Sequence, residues 1–190
     1  MIATSHILPT LGRGSYQLSA TRRIAFGLAL AIAVSLANAD SPHVGSPKRV
    51  SERVLQLVNA ARTHGRRCGY ETFRAVAPVR LSGTLESAAR DHVHDMAAHN
   101  FFEHTGSDGS SPTERLARTG YRWRLTGENI AYGPTSPEEV VRGWLASPGH
   151  CENIMEPRFT EMGVAYAVGS TRGNPVYWDQ TFAVPRKSKL

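Results

Sequence analysis

The chain has 190 residues, 41% of them hydrophobic, with 22 basic and 16 acidic side chains and a net charge of +6. That composition fits a globular protein rather than a disordered one. Three of the basic residues, Arg13, Arg22 and Arg23, lie before residue 40 with no acid among them, so the remainder holds 19 basic against 16 acidic groups, or +3. So mild an excess, with no long basic run, argues against a nucleic-acid partner and allows only weak attraction to anionic envelope surfaces.

Residues 1–39 read as an export signal. Arg22-Arg23 precedes the uncharged apolar run Ile24 to Ala37, and Ala37-Asn38-Ala39 fits a small-x-small cleavage site, which makes Asp40 the first mature residue. The apolar run is too short for a comfortable bilayer span, so cleavage is preferred over a retained anchor and no stable membrane span is expected in the mature chain. The arginine pair alone is a weak sign of twin-arginine export, and general secretion is the default. The expected location is secreted or periplasmic. The 151 residues from 40 to 190 suffice for one domain with a single core.

Residues 40–49, rich in Pro, Ser and Gly, read as an N-terminal tail. Val54, Leu55, Val58 and Ala61 then set helical spacing over about 50–63, stopped by Gly65. Residues 66–81 read as irregular, interrupted by Pro78. A second helix is expected over about 84–100, with Leu85, Ala88, Ala89, His92, Met96 and His99 on one stripe and His94 off it. A histidine on a packing face is more often a satisfied core residue than a ligand, so a triple-histidine metal site is not favoured.

Gly106-Ser107-Asp108-Gly109-Ser110 is a turn-rich loop. Ser111-Pro112-Thr113-Glu114 opens a short third helix as a capping box, ended by Gly120. Ser136-Pro137-Glu138-Glu139 repeats that signal for a fourth helix over about 137–146. Ser147-Pro148-Gly149 breaks it and places His150 on a tight turn. Residues 162–168 and 176–184 read as a hairpin of strands, with Val176, Trp178 and Phe182 on one face. Helices followed by a small antiparallel sheet define an α+β layered domain.

Cys68 and Cys151 both fall in the exported part. An even pair in an oxidising compartment is a candidate disulfide; a reactive Cys151 thiol beside His150 is the alternative.

Three stretches present polar side chains among residues that fix the backbone: Phe101 to Gly106 with His104, Gly127 to Ala131 with Glu128, and Trp144 to His150. Two imidazoles and a carboxylate suit Zn2+ or another divalent cation. In one arrangement all three are ligands; in another His104 and His150 bind the metal and Glu128 is general base on its water. A buried hydrogen-bonded network pinning helices to the sheet is an equally weighted alternative.

Phe102-Glu103-His104-Thr105-Gly106, Gly127-Glu128-Asn129-Ile130-Ala131, Trp144 with Ser147-Pro148-Gly149-His150, Asn153-Ile154-Met155, and Phe159 through Val164 resemble, in this order, the bacterial SCP-like branch of the CAP superfamily: cysteine-rich secretory proteins, antigen 5 and plant pathogenesis-related proteins. The resemblance covers about 50–184, leaving 185–190 as a C-terminal tail. It implies a three-layer α-β-α sandwich with a central antiparallel sheet. It also implies a cleft in which His104, Glu128 and His150 converge, lined further by Asn129 and Ser147, and able to take up zinc. Many eukaryotic relatives carry a second glutamate where Ser147 stands, so a metal here is expected to be held more weakly or with more water; Glu152 and Glu161 are carboxylates nearby in sequence. The reading that follows is a non-enzymatic module binding an envelope, lipid or peptide ligand. A metal-assisted peptidase or esterase, and a lipid or sterol carrier, are the alternatives.

Overall fold

The computed structural model describes residues 45–186. The expected export signal lies outside them, as does most of the expected C-terminal tail. No helix among the described residues is long and apolar enough to cross a membrane.

Helix α1 spans Pro47–Arg62, so it takes in the last residues of the stretch read as tail. Proline at its start costs nothing, because the first N–H groups of a helix have no partner within it. Val50, Val54 and Val58, four apart, are all buried. Two short strands, β1 (Arg66–Cys68) and β2 (Glu71–Phe73), form an antiparallel hairpin where the sequence reads as irregular. They were too short to show a periodicity. Strand β3 (Arg80–Leu81) leads into α2 (Gly83–His99), which Asn100 caps in the left-handed region at φ 55°. Helix α3 (Pro112–Arg118) has the expected capping box between Ser111 and Glu114.

Strand β4 (Trp123–Tyr132) is the main element not expected from the sequence. Helix α4 (Pro137–Ala146) follows from the Ser136 cap. Ser147 is extended and ends it, but Pro148 then opens a further helix, α5 (Pro148–Met155), by the same start logic as α1. His150 therefore sits in the first turn of a helix, not on a tight turn. Strands β5 (Glu161–Val168) and β6 (Val176–Pro185) form the expected hairpin.

The sheet order is β3-β5-β6-β4. Three strands are antiparallel, but β3 runs parallel to β5, so the sheet is mixed rather than antiparallel throughout. The chain leaving α1 passes the free edge of β5, and the Arg80 and Ser82 amides donate to the Thr160 and Met162 carbonyls before α2 begins. Two residues suffice for that pairing.

The sheet separates two helical layers, which makes an α+β sandwich. Val164, Trp178, Phe182 and Val184 face α1, α4 and α5, and Trp178 and Phe182 share that face with Val176 as expected. Ala165, Ala167 and Tyr177, which alternate with them, face α2. Helix α2 lies so close to β5 that a Cβ on Gly163 would overlap the backbone of Leu85 and Glu86. In the other layer Arg62 is fully buried and donates to the carbonyls of Ala77, Ile154, Glu156 and Phe159. It thereby ties the end of α1 to the loop after α5.

Candidate functional site

Strand β4 is the edge of the sheet, so the two helical layers meet around it. Alternation sends Glu128 toward α2 and α3 and Asn129 toward α5. Gly127 serves a close approach of elements. It is an in-register strand residue, and a Cβ there would come within 3.0 Å of the Phe159 ring and 3.1 Å of Asn153 Oδ1. Its glycine lets α5 and the following loop close over β4.

Asn129 is fully buried. It donates to the His150 carbonyl (3.2 Å) and to Gln180 Oε1 (3.1 Å), and it accepts from Asn153 Nδ2 (2.9 Å). Asn153 Nδ2 also reaches the Glu128 carbonyl at 3.2 Å. This amide set fixes the first turn of α5, and thus His150, against β4. Asn129 acts from beneath the surface rather than lining it. Ser147 is half-buried at the α4–α5 junction, and its side chain does not cap α5.

The Glu128 side chain is 5% exposed, and both of its oxygens are engaged. His104 Nδ1 donates to Oε1 at 2.8 Å, and the Arg115 guanidinium donates to Oε2 at 2.7 Å. Arg115 is itself buried, and it also donates to the Ser110 carbonyl at 2.9 Å. Burial by itself would push the Glu128 carboxyl up, but the His104 hydrogen bond and the charge of Arg115 outweigh it and hold the carboxyl below its ordinary value. His104, with its side chain about half exposed, keeps Nε2 for another partner. His150 is half-buried; burial first, and the neighbouring charge of His104 second, lower its pKa. Cys68 and Cys151 form a disulfide with their Cα atoms 5.5 Å apart, so Cys151 presents no thiol beside His150.

Behind Glu128 lies a second group. His92 on α2 and Asp179 on β6 are both fully buried. His92 Nε2 donates to the Glu103 carbonyl at 2.9 Å and so holds the chain one residue before His104. Burial, and then the charge of Arg115, lower the His92 pKa. Burial, and then repulsion from Glu128, raise that of Asp179. Sequence reasoning treated His92 as a core residue and did not single out Arg115 or Asp179. Asp179 carried a usable signal, being an acid inside the apolar run Val176 to Val184. Arg115 carried none, since nothing local separates it from exposed Arg118. Of the carboxylates weighed as replacements near Ser147, Glu161 is engaged by Arg80 and by the Tyr121 hydroxyl (2.7 Å), and Glu152 is exposed on α5.

Beside His104, the Phe102 ring lies 5.9 Å from that of Tyr132, and Tyr132 lies 5.0 Å from Tyr177, edge to face. Phe102 is 45% and Tyr132 51% exposed, so the site borders an aromatic ledge.

The profile of the CAP, or Cysteine-rich secretory protein, family matches residues 55–182. The chain belongs to the CAP family. It is 34% identical over 140 residues to the uncharacterized protein YkwD of Bacillus subtilis (strain 168), covering 72% of this chain and 49% of YkwD. Its fold is similar to that of an extracellular SCP-domain protein of Bacillus anthracis, with TM-score 0.60 and 24% identity over 72% of this chain and 41% of that one. It is also similar to an outer surface protein of Borrelia burgdorferi, with TM-score 0.57 and 20% identity over 73% and 92% of the two chains. The CAP chain thus spans about half the length of YkwD and of the Bacillus anthracis protein.

Acid should destabilise this CAP domain in two stages. His92 and His150 have folded pKa values below their ordinary 6.5, so the unfolded chain takes up their protons first and stability falls as pH drops below that value. Glu128, also depressed, contributes stability above its ordinary 4.5 that is lost as pH falls further, through its folded value. Asp179 runs the other way: its raised pKa favours the fold at low pH and costs stability as pH rises. Urea titrations from pH 7.5 to 3.5 should show the first decline near pH 6.5, and His92→Gln should flatten it. A midpoint insensitive to pH between 7 and 5 would contradict the assignment.

Proposed function

We propose that the chain is an exported CAP-domain module that binds a ligand or partner without turning it over, through the cleft at the β4 edge. The observation carrying this reading is that Glu128 already accepts from His104 and from Arg115. A general base needs a lone pair directed at the water it activates, and here the outward contacts of both oxygens are taken by His104 and Arg115, while the carboxylate otherwise lies against buried His92 and Asp179. Glu128 instead orients His104, as a carboxylate orients a metal-bound histidine through its far ring nitrogen. That leaves His104 Nε2 and the His150 imidazole as the outward-facing groups, beside the Phe102–Tyr132 ledge. The donor set fits a loosely held divalent cation such as Zn2+, with water completing the shell where Ser147 replaces a carboxylate. The rings supply apolar contact and the imidazoles, or their ion, a polar anchor. An envelope component with both characters, a peptide or a lipid, matches that surface. The export signal and the extracellular and surface relatives support the same setting.

Titrating zinc into the 15N-labelled protein should move amide resonances around His104, His150 and Phe102. It should raise stability by about 2.7 kcal/mol at a hundredfold excess over Kd. Both effects should vanish in His104→Ala. Subsequent titration with muropeptides and with phosphatidylglycerol vesicles should perturb Phe102 and Tyr132. If neither probe perturbs them, and a metal-dependent esterase or peptidase activity disappears in a Glu128→Gln protein that keeps its fold, the protein is a hydrolase instead.

A further inference from the structure

The group behind Glu128 is made of acceptors that face one another. His92 donates through Nε2 to a carbonyl, which leaves Nδ1 as a lone pair, and that atom has no hydrogen-bond partner. Asp179 uses Oδ1 to accept from the Thr181 hydroxyl (3.0 Å), while Oδ2 has no partner either. One atom from each of His92, Glu128 and Asp179 lies within 4.8 Å of the others, and all three side chains are buried. Among the described residues this is the trio of such side chains close enough to grip one ion; His104 and His150 are outside it.

Unpartnered buried polar atoms are rare and costly, and two in one cluster need a common explanation. Among the described residues Arg115 supplies the positive charge that reaches the group, and within the group it donates to Glu128 Oε2 alone. Metal ligation needs both carboxylates ionised, and with Arg115 charged and His92 neutral that would leave one uncompensated negative charge in the interior, the state that burial and Glu128 disfavour for Asp179. That is what a cation would offset.

We propose that His92 Nδ1, Asp179 Oδ2 and the Glu128 carboxylate form an internal divalent-cation site, separate from the surface cleft. One imidazole and two carboxylates favour zinc or a similar transition ion over calcium, which prefers oxygen alone. Closing on zinc would draw the three atoms to about 3.3 Å apart, the edge of a tetrahedron with bonds near 2 Å. The ion would link α2, β4 and β6 and brace, through Glu128 and the Glu103 carbonyl, the chain that presents His104. Because the site is buried, the ion is captured during folding and exchanges slowly.

The test is to unfold the protein with its disulfide intact, refold it with Co2+, and pass it through a desalting column. About one ion per chain should be retained by the unaltered protein and by His104→Ala/His150→Ala. It should be lost in Asp179→Asn and in His92→Gln. X-ray absorption of the retained cobalt in the unaltered protein should show one imidazole, which needs no variant to fold. Two imidazoles would place the ion in the cleft and overturn the proposal. Retention in Asp179→Asn would overturn it, as would no retained ion in the unaltered protein. The cleft reading is tested separately, since its readouts follow His104 and Phe102 rather than Asp179.

Discussion

Cys68→Ser/Cys151→Ser should lower stability by about 4–5 kcal/mol, the chain-entropy value for closing a loop of this length. The two cysteines are 83 positions apart, and the loop they close contains α2, α3, β4 and α4, over half of the described fold. In the unfolded chain the bridge removes conformations across all of that length. In the folded chain it fastens the β1–β2 hairpin to the first turns of α5, where Gly69 already lies against Pro148. For a domain of about 150 residues this corresponds to a melting temperature lower by roughly 10 °C or more. Circular dichroism melts of the oxidised protein, the reduced protein and the double variant will check it. Coincident melts for all three would show that the hairpin is held by packing alone. The same loss should loosen His150, because Cys151 follows it in α5. Zinc-induced shifts at His150 should therefore weaken in the double variant more than those at His104.

What was legible in the sequence follows from which signals are local. The capping box at Ser111, the side-chain cap at Ser136 and the apolar stripes in α1 and α2 depend on neighbours within four residues, and those helices form where expected. Strand β4 was missed because its signals conflict. Gly127, Glu128 and Asn129 look like a loop, and their strand character comes from pairing with Phe182, Thr181 and Gln180 more than fifty residues later. The parallel pair β3–β5 is invisible for the same reason, since its partners are 81 residues apart. The site shows the same division. His104 and Glu128 stand in motifs that can be read, and the structure joins them by a hydrogen bond. Arg115 and Asp179, which decide the electrostatics of Glu128, sit in unremarkable local sequence. They matter only because α3 and β6 deliver them to the two sides of one carboxylate.

That delivery makes Arg115 the side chain on which the site depends. Arg115→Met keeps the volume and the helix propensity of α3 but removes the cation, which leaves Glu128 buried with only His104 as partner. It also strips the donor from the Ser110 carbonyl, which closes the loop before α3. Removing one member of a buried ion pair typically costs about 3–5 kcal/mol, because the remaining charge keeps its desolvation cost and loses its compensation. Asp179 sharpens the effect: its repulsion with Glu128 would then act without the nearby guanidinium charge that offsets it. Glu128 should lose part of its depression, so its share of the acid-induced loss of stability should shrink and be complete at a higher pH. Glu128→Gln alone should also be destabilising, since it buries Arg115 without a counter-ion. Arg115→Met/Glu128→Gln should recover much of either loss, because the double replacement leaves no unpaired charge. Urea unfolding of the four proteins, read as a double-mutant cycle, measures the coupling directly. A coupling near zero would mean that the Arg115–Glu128 pair contributes nothing specific, and that β4 positions His104 through its backbone alone. A large coupling, with the His104 resonances shifted in Arg115→Met but restored in the double variant, would show that α3 sets the orientation of the cleft imidazole through the Glu128 carboxylate.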